Sequence, residues 1–241
     1  MAKRLHPARF WIHRDFPYAE GVLRQKNLLA EMAKNPDSPA GVILAEHRPT
    51  VTCGRSGDGG NLRMGLEGLA AGGVEFHRAG RGGDVTYHGP GQWTVYPVLR
   101  LEWYGRDLHR YLRLLEECAI RFLALYRIKA VRRPGLTGAW VGRDKAAAVG
   151  VSVSRWITWH GFALNIHPDL SRFTDLICPC GIPESEGGVT DLDSLTGRRH
   201  AMEETLPALR RALAEVLELE PAAGEDNRDF RDCCCNRPPA G

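Results

Sequence analysis

Thr137–Asn165, TGAWVGRDKAAAVGVSVSRWITWHGFALN, is the stretch that decides the fold class. Thr137–Val141, Ala146–Val153 and Thr158–Asn165 alternate in the two-residue period of strands with unlike faces. Only tight turns separate them. Asp144 helps to form the first, and Arg155-Trp156 lies at the second. Strands joined this closely pair antiparallel, because a parallel pair needs a crossover of about a dozen residues or more.

Working outward, Leu108 to about Arg127 reads as a long helix. Leu112, Leu115, Ala119, Phe122 and Leu125 lie on one face, and Asp107 is a good N-cap. Upstream, Arg9–His13 predicts a strand and Tyr18–Lys34 an amphipathic helix ended by Asn35-Pro36. Gly41–Ala45 and Thr50–Cys53 are short strands, Leu66–Ala71 a short helix, and Val74–Arg78 and Trp93–Leu99 strands on either side of a glycine-rich loop. Downstream, the pattern is irregular from Pro168 to Gly188, and Glu203–Leu219 is a last amphipathic helix. Hairpins and helices in mixed succession predict an α+β fold rather than a doubly wound parallel sheet. One domain is expected over residues 1–220. Residues 221–241, poor in apolar side chains, are expected to be a disordered tail.

Composition narrows the function classes. The 43% hydrophobic and 25% charged fractions are those of an ordinary globular chain, and a net charge of +3 does not argue for a nucleic-acid partner. Met1–Pro7 has basic residues but no apolar run after them, and no stretch approaches the ~20 apolar residues that span a bilayer, so no membrane partner is expected. Seven cysteines, odd in number and without a disulfide spacing, fit a reducing cytoplasm. Only five of the 32 basic residues are lysines, so a lysine retained inside a strand invites a question.

Two clusters could carry chemistry. Arg81-Gly82-Gly83-Asp84-Val85-Thr86-Tyr87-His88-Gly89-Pro90-Gly91-Gln92 packs four glycines among polar side chains, a composition that suits a pocket wall or a glycine-rich turn. Its backbone N–H groups could stabilise an oxyanion. Cys178-Pro179-Cys180 is open to three functional readings: a metal half-site, a redox pair, or one nucleophilic thiol. The nucleophile is the best of these, set against a plain buried thiol. It would need a group that generates the thiolate, for which His88, His160 and Lys145 are candidates. Lys145 opens the small, apolar run Ala146-Ala147-Ala148, where desolvation lowers a lysine pKa; a solvated lysine at a hairpin turn is the alternative.

Five segments in order resemble the octanoyltransferases of lipoate biosynthesis, the LipB family. Residues 81–97 match its defining Arg-Gly-Gly-x-x-Thr-Tyr-His-Gly-Pro-Gly-Gln motif, and Glu46–Arg55 its Glu-His-x-Pro segment. Gly142–Gly150 matches the lysine-bearing strand, His160–Asn165 the strand after it, and Pro179-Cys180-Gly181-Ile182 the nucleophile loop. The resemblance implies a mixed β-sheet with packed helices and a small second sheet, the fold of lipoate and biotin protein ligases. It implies an acyltransferase in which Cys180 carries the acyl group as a thioester and Lys145 shuttles protons. Arg81, Gly82, Gly83, Asp84, Val85, Thr86, Tyr87 and His88 would line the acyl site, with Ala148, Val149 and Gly150 and then Gly161, Phe162 and Ala163 completing it. The implied donor is octanoyl-acyl carrier protein. The implied acceptors are lipoyl domains, those of 2-oxoacid dehydrogenase E2 subunits and the glycine cleavage H protein. No cofactor and no metal are implied. An ATP-dependent lipoate or biotin protein ligase is the rival enzyme on the same fold; a non-catalytic acyl-binding module is the rival of another class. Cys178 leaves open which thiol is acylated, and Cys233-Cys234-Cys235 has no counterpart in the motif.

Overall fold

The structure, a computed structural model, describes residues 5–178 and 187–222. Its main sheet is built from β1 (His6–Phe16), β2 (Ala40–His47), β6 (Gln92–Val98), β7 (Val131–Arg133), β8 (Leu136–Val141), β9 (Asp144–Ser154), β10 (Ile157–Asn165) and β11 (Leu219–Pro221), in the order β11-β1-β2-β6-β10-β9-β8-β7. The pairs β11/β1 and β1/β2 are parallel, and every pairing from β2 to β7 is antiparallel. The three strands expected between residues 137 and 165 are thus β8, β9 and β10. Arg155 and Trp156, both at positive φ (51° and 61°), form the second turn as read. Asp144 begins β9 instead of sitting in the first turn.

Alternation along β2 sorts the helices to two faces. Val42 and Leu44 join the larger core with α3 (Leu108–Leu125) and α6 (Met202–Leu217). Ile43 and Ala45 face the other way, where Leu28 of α1 (Tyr18–Lys34) packs on them. The carboxylate of Asp107 accepts from the Arg110 N–H, so the expected cap is in place.

A second, smaller sheet of order β4-β3-β5 is made by β4 (Glu75–Arg78), β3 (Thr50–Cys53) and β5 (Val85–His88). β5 lies inside the stretch read as a loop: four residues between glycines pair antiparallel with β3. Short helices α2 (Leu66–Ala71), α4 (Ser171–Leu176) and α5 (Leu192–Thr196) complete the described chain. The α4 helix falls in the region expected to be irregular. At the C-terminal end, Ala222 is buried and donates its N–H to Ala8 O at 2.9 Å, so packing continues two residues past 220. Residues 223–241, including Cys233–Cys235, lie outside the described residues. No described helix is long and apolar enough to cross a membrane.

Candidate active site

A cavity of about 480 Å³ opens between the central strands and the second sheet. Lys145 lines it with Arg81–Thr86, His88, Ala148–Gly150 and Gly161–Ala163, so the structure gathers into one place residues from three separate stretches of sequence. Tyr87 is the exception. Its ring lies against Phe173, at 5.4 Å between centroids, in the core of the second sheet.

Two cavity glycines have close neighbours, so that Gly161 leaves no room for a side chain and Gly150 little. A Cβ on Gly161 would lie 2.1 Å from Val95 O, and one on Gly150 would lie 3.0 Å from Gly82 O and 3.2 Å from Arg81 Cδ. The glycine loop is lashed down by its backbone. Gly82 N–H donates to Val151 O at 2.9 Å, so this donor is not available to an oxyanion as the sequence suggested. The buried Arg81 guanidinium donates to Thr52 O at 2.8 Å, Thr52 Oγ1 at 2.7 Å and Gly82 O at 3.0 Å.

Lys145 is 7% exposed, so the solvated-turn reading does not hold. Its backbone is clamped by the chain that resumes at Gly187: Lys145 N–H donates to Gly188 O at 2.9 Å, and Thr190 N–H donates to Lys145 O at 3.1 Å. Cys180 lies outside the described residues. Cys178, just before it, donates its N–H to Asn61 O at 2.8 Å.

A buried amide pair that sequence reasoning missed ties the two halves of the site together. Gln92 and Asn165 are direct cross-strand partners on β6 and β10, and Gln92 Nε2 donates to Asn165 Oδ1 at 3.0 Å. Asn165 Nδ2 donates to Thr190 O at 3.0 Å, while Gln92 Oε1 accepts from His88 Nδ1 at 2.8 Å. Both residues stood in the motifs read from the sequence; the signal was two amides at strand ends, where a partner is needed if buried. Tyr18, Thr94 and Tyr96 also line the cavity, as do Leu112 and Leu136. They come from four elements: Tyr18 from α1, Thr94 and Tyr96 from β6, Leu112 from α3 and Leu136 from β8.

The two histidines that line the cavity, His88 and His160, are uncharged at neutral pH. Burial, followed by the charges of His47 and Arg81, pushes His88 down to about 3; burial, with Arg81 next, pushes His160 to about 3. A base this weak holds a proton poorly near pH 7, and catalytic bases work best when poised near the operating pH. Neither histidine is poised to take a proton from a thiol near pH 7. His47 is likewise pushed down to about 4 by burial; its Nδ1–H donates to Phe16 O at 2.8 Å, and its Nε2 accepts from the Tyr96 hydroxyl at 2.7 Å.

The chain is similar in sequence and in fold to known proteins. Residues 17–214 match the family described as the lipoyl protein ligase A/B catalytic domain. An octanoyltransferase of Rubrobacter xylanophilus is 47% identical over 184 residues, 76% of this chain and 80% of that protein. One of Gloeobacter violaceus is 39% identical over 211 residues, 87% of this chain and 90% of that protein. Among solved structures, a lipoate-protein ligase A bound with ATP matches with a TM-score of 0.72 at 15% identity, over 91% of this chain and 88% of that one. A bipartite lipoate protein ligase from Thermoplasma acidophilum, described with its E2 lipoyl domain, matches with a TM-score of 0.67 at 18% identity, over 92% and 87%. At such identities the structural likeness speaks for the fold alone, and the expected fold is the one found.

Proposed function

The chain belongs to the octanoyltransferases built on the lipoyl protein ligase A/B catalytic domain, and from that membership we propose the route its acyl group takes. The enzyme transfers an octanoyl group in lipoate biosynthesis, with lipoyl-domain proteins as acceptors. Octanoyl-acyl carrier protein is the donor. The Cys180 thiolate attacks the donor's carbonyl carbon, the C–S bond to the carrier breaks, and the departing carrier sulfur takes the proton held by Lys145 and leaves as a thiol, so that Lys145 is left neutral. A neutral lysine amine of the acceptor then attacks the Cys180 thioester, the new amide forms, and Cys180 leaves as thiolate. The proton lost by the amine passes to Lys145, which holds the proton while Cys180 is free and stabilises its thiolate. The acceptors are the lipoyl domains of E2 subunits and of the glycine cleavage H protein, and the reaction runs in the cytoplasm, where thiols stay reduced.

The observation that carries this reading is the burial of Lys145 in the wall of a medium-sized cavity, clamped to the chain that follows Cys180. The small residues Ala148, Gly150 and Gly161 leave the cavity open to an alkyl chain, and each buried methylene contributes roughly 0.8 kcal/mol. An ATP-dependent ligase on this fold needs no nucleophilic thiol, which separates the readings. Incubation with octanoyl-acyl carrier protein, followed by peptide mass spectrometry, is expected to find an octanoyl adduct on Cys180, absent from Cys180→Ser and removed by an acceptor domain. An unmodified Cys180 with ATP-dependent turnover, or an adduct on Cys178, overturns it.

A further inference from the structure

Lys145 owes its place to an irregularity in the sheet. Ala139 pairs with Ala147, but Trp140 pairs with Lys145, so β9 carries an extra residue at this point. Regular pairing would set Ala146 opposite Trp140. Such a bulge re-aims side chains, and bulges recur beside active sites for that reason.

What the shift puts opposite the lysine is an aromatic surface. Trp140 is 1% exposed, and the Lys145 Nζ lies over its ring, 4.7 Å from the centroid. The indole N–H donates to Leu136 O at 3.3 Å, which holds the ring's orientation. The Arg133 guanidinium lies over the same ring at 4.7 Å. Beneath the lysine stem is Gly138, at φ 140°, where a Cβ would lie 2.4 Å from Ala147 O and 3.4 Å from Lys145 Cε. The Gly138 N–H donates at 3.0 Å to Glu116, a carboxylate buried on α3 and paired with Arg113 and Arg132. The stem therefore has a floor without a side chain, and the ammonium has a π face.

We propose that Trp140 is a positioning residue for acyl transfer: its ring, set opposite Lys145 by the bulge in β9, holds the lysine head at one point of the cavity wall. A π face attracts a cation and not a neutral amine, so the ring steadies the lysine while it carries a proton and loosens its hold when the proton leaves. Trp140 itself does not line the cavity, and it acts only through Lys145. The inference rests on the proton-carrying role given to Lys145 above.

The test is a double-mutant cycle on steady-state octanoyl transfer, with Trp140→Leu and Trp140→Phe each made in wild type and in Lys145→Met. Trp140→Leu is expected to lower kcat about tenfold, the effect of losing a buried cation–π contact, with KM for the donor within about twofold. Trp140→Phe keeps a π face and is expected to recover most of the loss. In Lys145→Met, the same tryptophan changes are expected to cost nothing further. Should Trp140→Leu not fold, as judged by its thermal melt, Trp140→Phe carries the cycle with a smaller expected loss of about threefold. Unchanged kcat in the tryptophan variants, or equal losses in both backgrounds, overturns the proposal alone. Near wild-type transfer by Lys145→Met overturns the lysine's role and the proposal with it.

Discussion

Gln92 decides which nitrogen of His88 carries the proton. The Tyr87 carbonyl can only accept, so the Gln92 atom 3.2 Å from it is the amide nitrogen, which also donates to Asn165. The amide oxygen is then the atom 2.8 Å from His88 Nδ1, and that ring nitrogen must bear the hydrogen. His88 Nε2 is left as an acceptor facing Thr52 Oγ1, at 3.4 Å, whose own lone pairs take hydrogen bonds from Arg81.

Gln92→Glu breaks this arrangement without changing its size. It sets a carboxylate oxygen against the Tyr87 carbonyl and a negative charge beside the imidazole. An adjacent anion favours the imidazolium, so His88 is expected to titrate well above its value of about 3, read from its Hε1 resonance across a pH series. Octanoyl transfer at pH 7 is expected to fall by about tenfold or more, as the donor and acceptor pattern around Arg81 is reversed. A His88 titration that stays put, with normal transfer, would contradict the assignment.

Acid should weaken the fold through histidines that are buried uncharged. His13 is 3% exposed, neither of its ring nitrogens has a hydrogen-bond partner, and its ring stacks on Phe16 at 4.3 Å. Burial, then the charges of Arg24 and His47, lowers it to about 4. An unfolded histidine titrates near 6.5, so between about 6.5 and 4 the unfolded chain binds the extra proton. Stability is therefore full above pH 6.5 and declines as pH falls toward 4. His13→Phe keeps the stack and removes this proton; its melting temperature is expected to fall less between pH 7 and pH 5 than that of the wild type.

Truncation measures what β11 contributes. β11 pairs with β1 from His6 to Ala8, Leu219 is 4% exposed, and Ala222 bonds to Ala8. Removal of residues 223–241 is expected to leave transfer and melting unchanged. Ending the chain at Glu218 strips a strand from the sheet edge and is expected to lower the melting temperature by about 5 °C or more. Equal melts for the two truncations would mean that β11 adds nothing to stability.

The parts of the fold legible in the sequence were those in which local pattern and final structure agree. Residues 137–165 have alternation and tight turns, and Asp107 announces the helix after it. β5 was hidden because four residues between glycines are too few for a period to show, though the same period would have turned Tyr87 away from Thr86 and His88. The short α4 and α5 hold too few turns to display a face. Strand order is a tertiary fact: nothing local says that β11 closes the edge beside β1, or that β6 lies between β2 and β10. The candidate site was legible as three segments. Thr94 and Tyr96 stood inside residues 81–97 without being singled out, and Tyr18 was not legible at all, since it joins the cavity only once packing has brought α1 there.

The two glycines that carpet the cavity also limit how such an enzyme can diverge. At Gly161 any replacement meets a backbone oxygen of β6, and at Gly150 it meets the loop that holds Arg81. The β6 oxygen, 2.1 Å from a Cβ on Gly161, cannot step aside without dismantling the sheet, while the loop, 3.0 Å from a Cβ on Gly150, would have to give by a few tenths of an ångström. A lineage selected for a shorter or longer acyl chain has more freedom on the side walls, at Leu112, Leu136 and Val149, where one aliphatic side chain can be exchanged for another. Specificity in this protein is free to drift along its walls while its floor at Gly161 stays frozen.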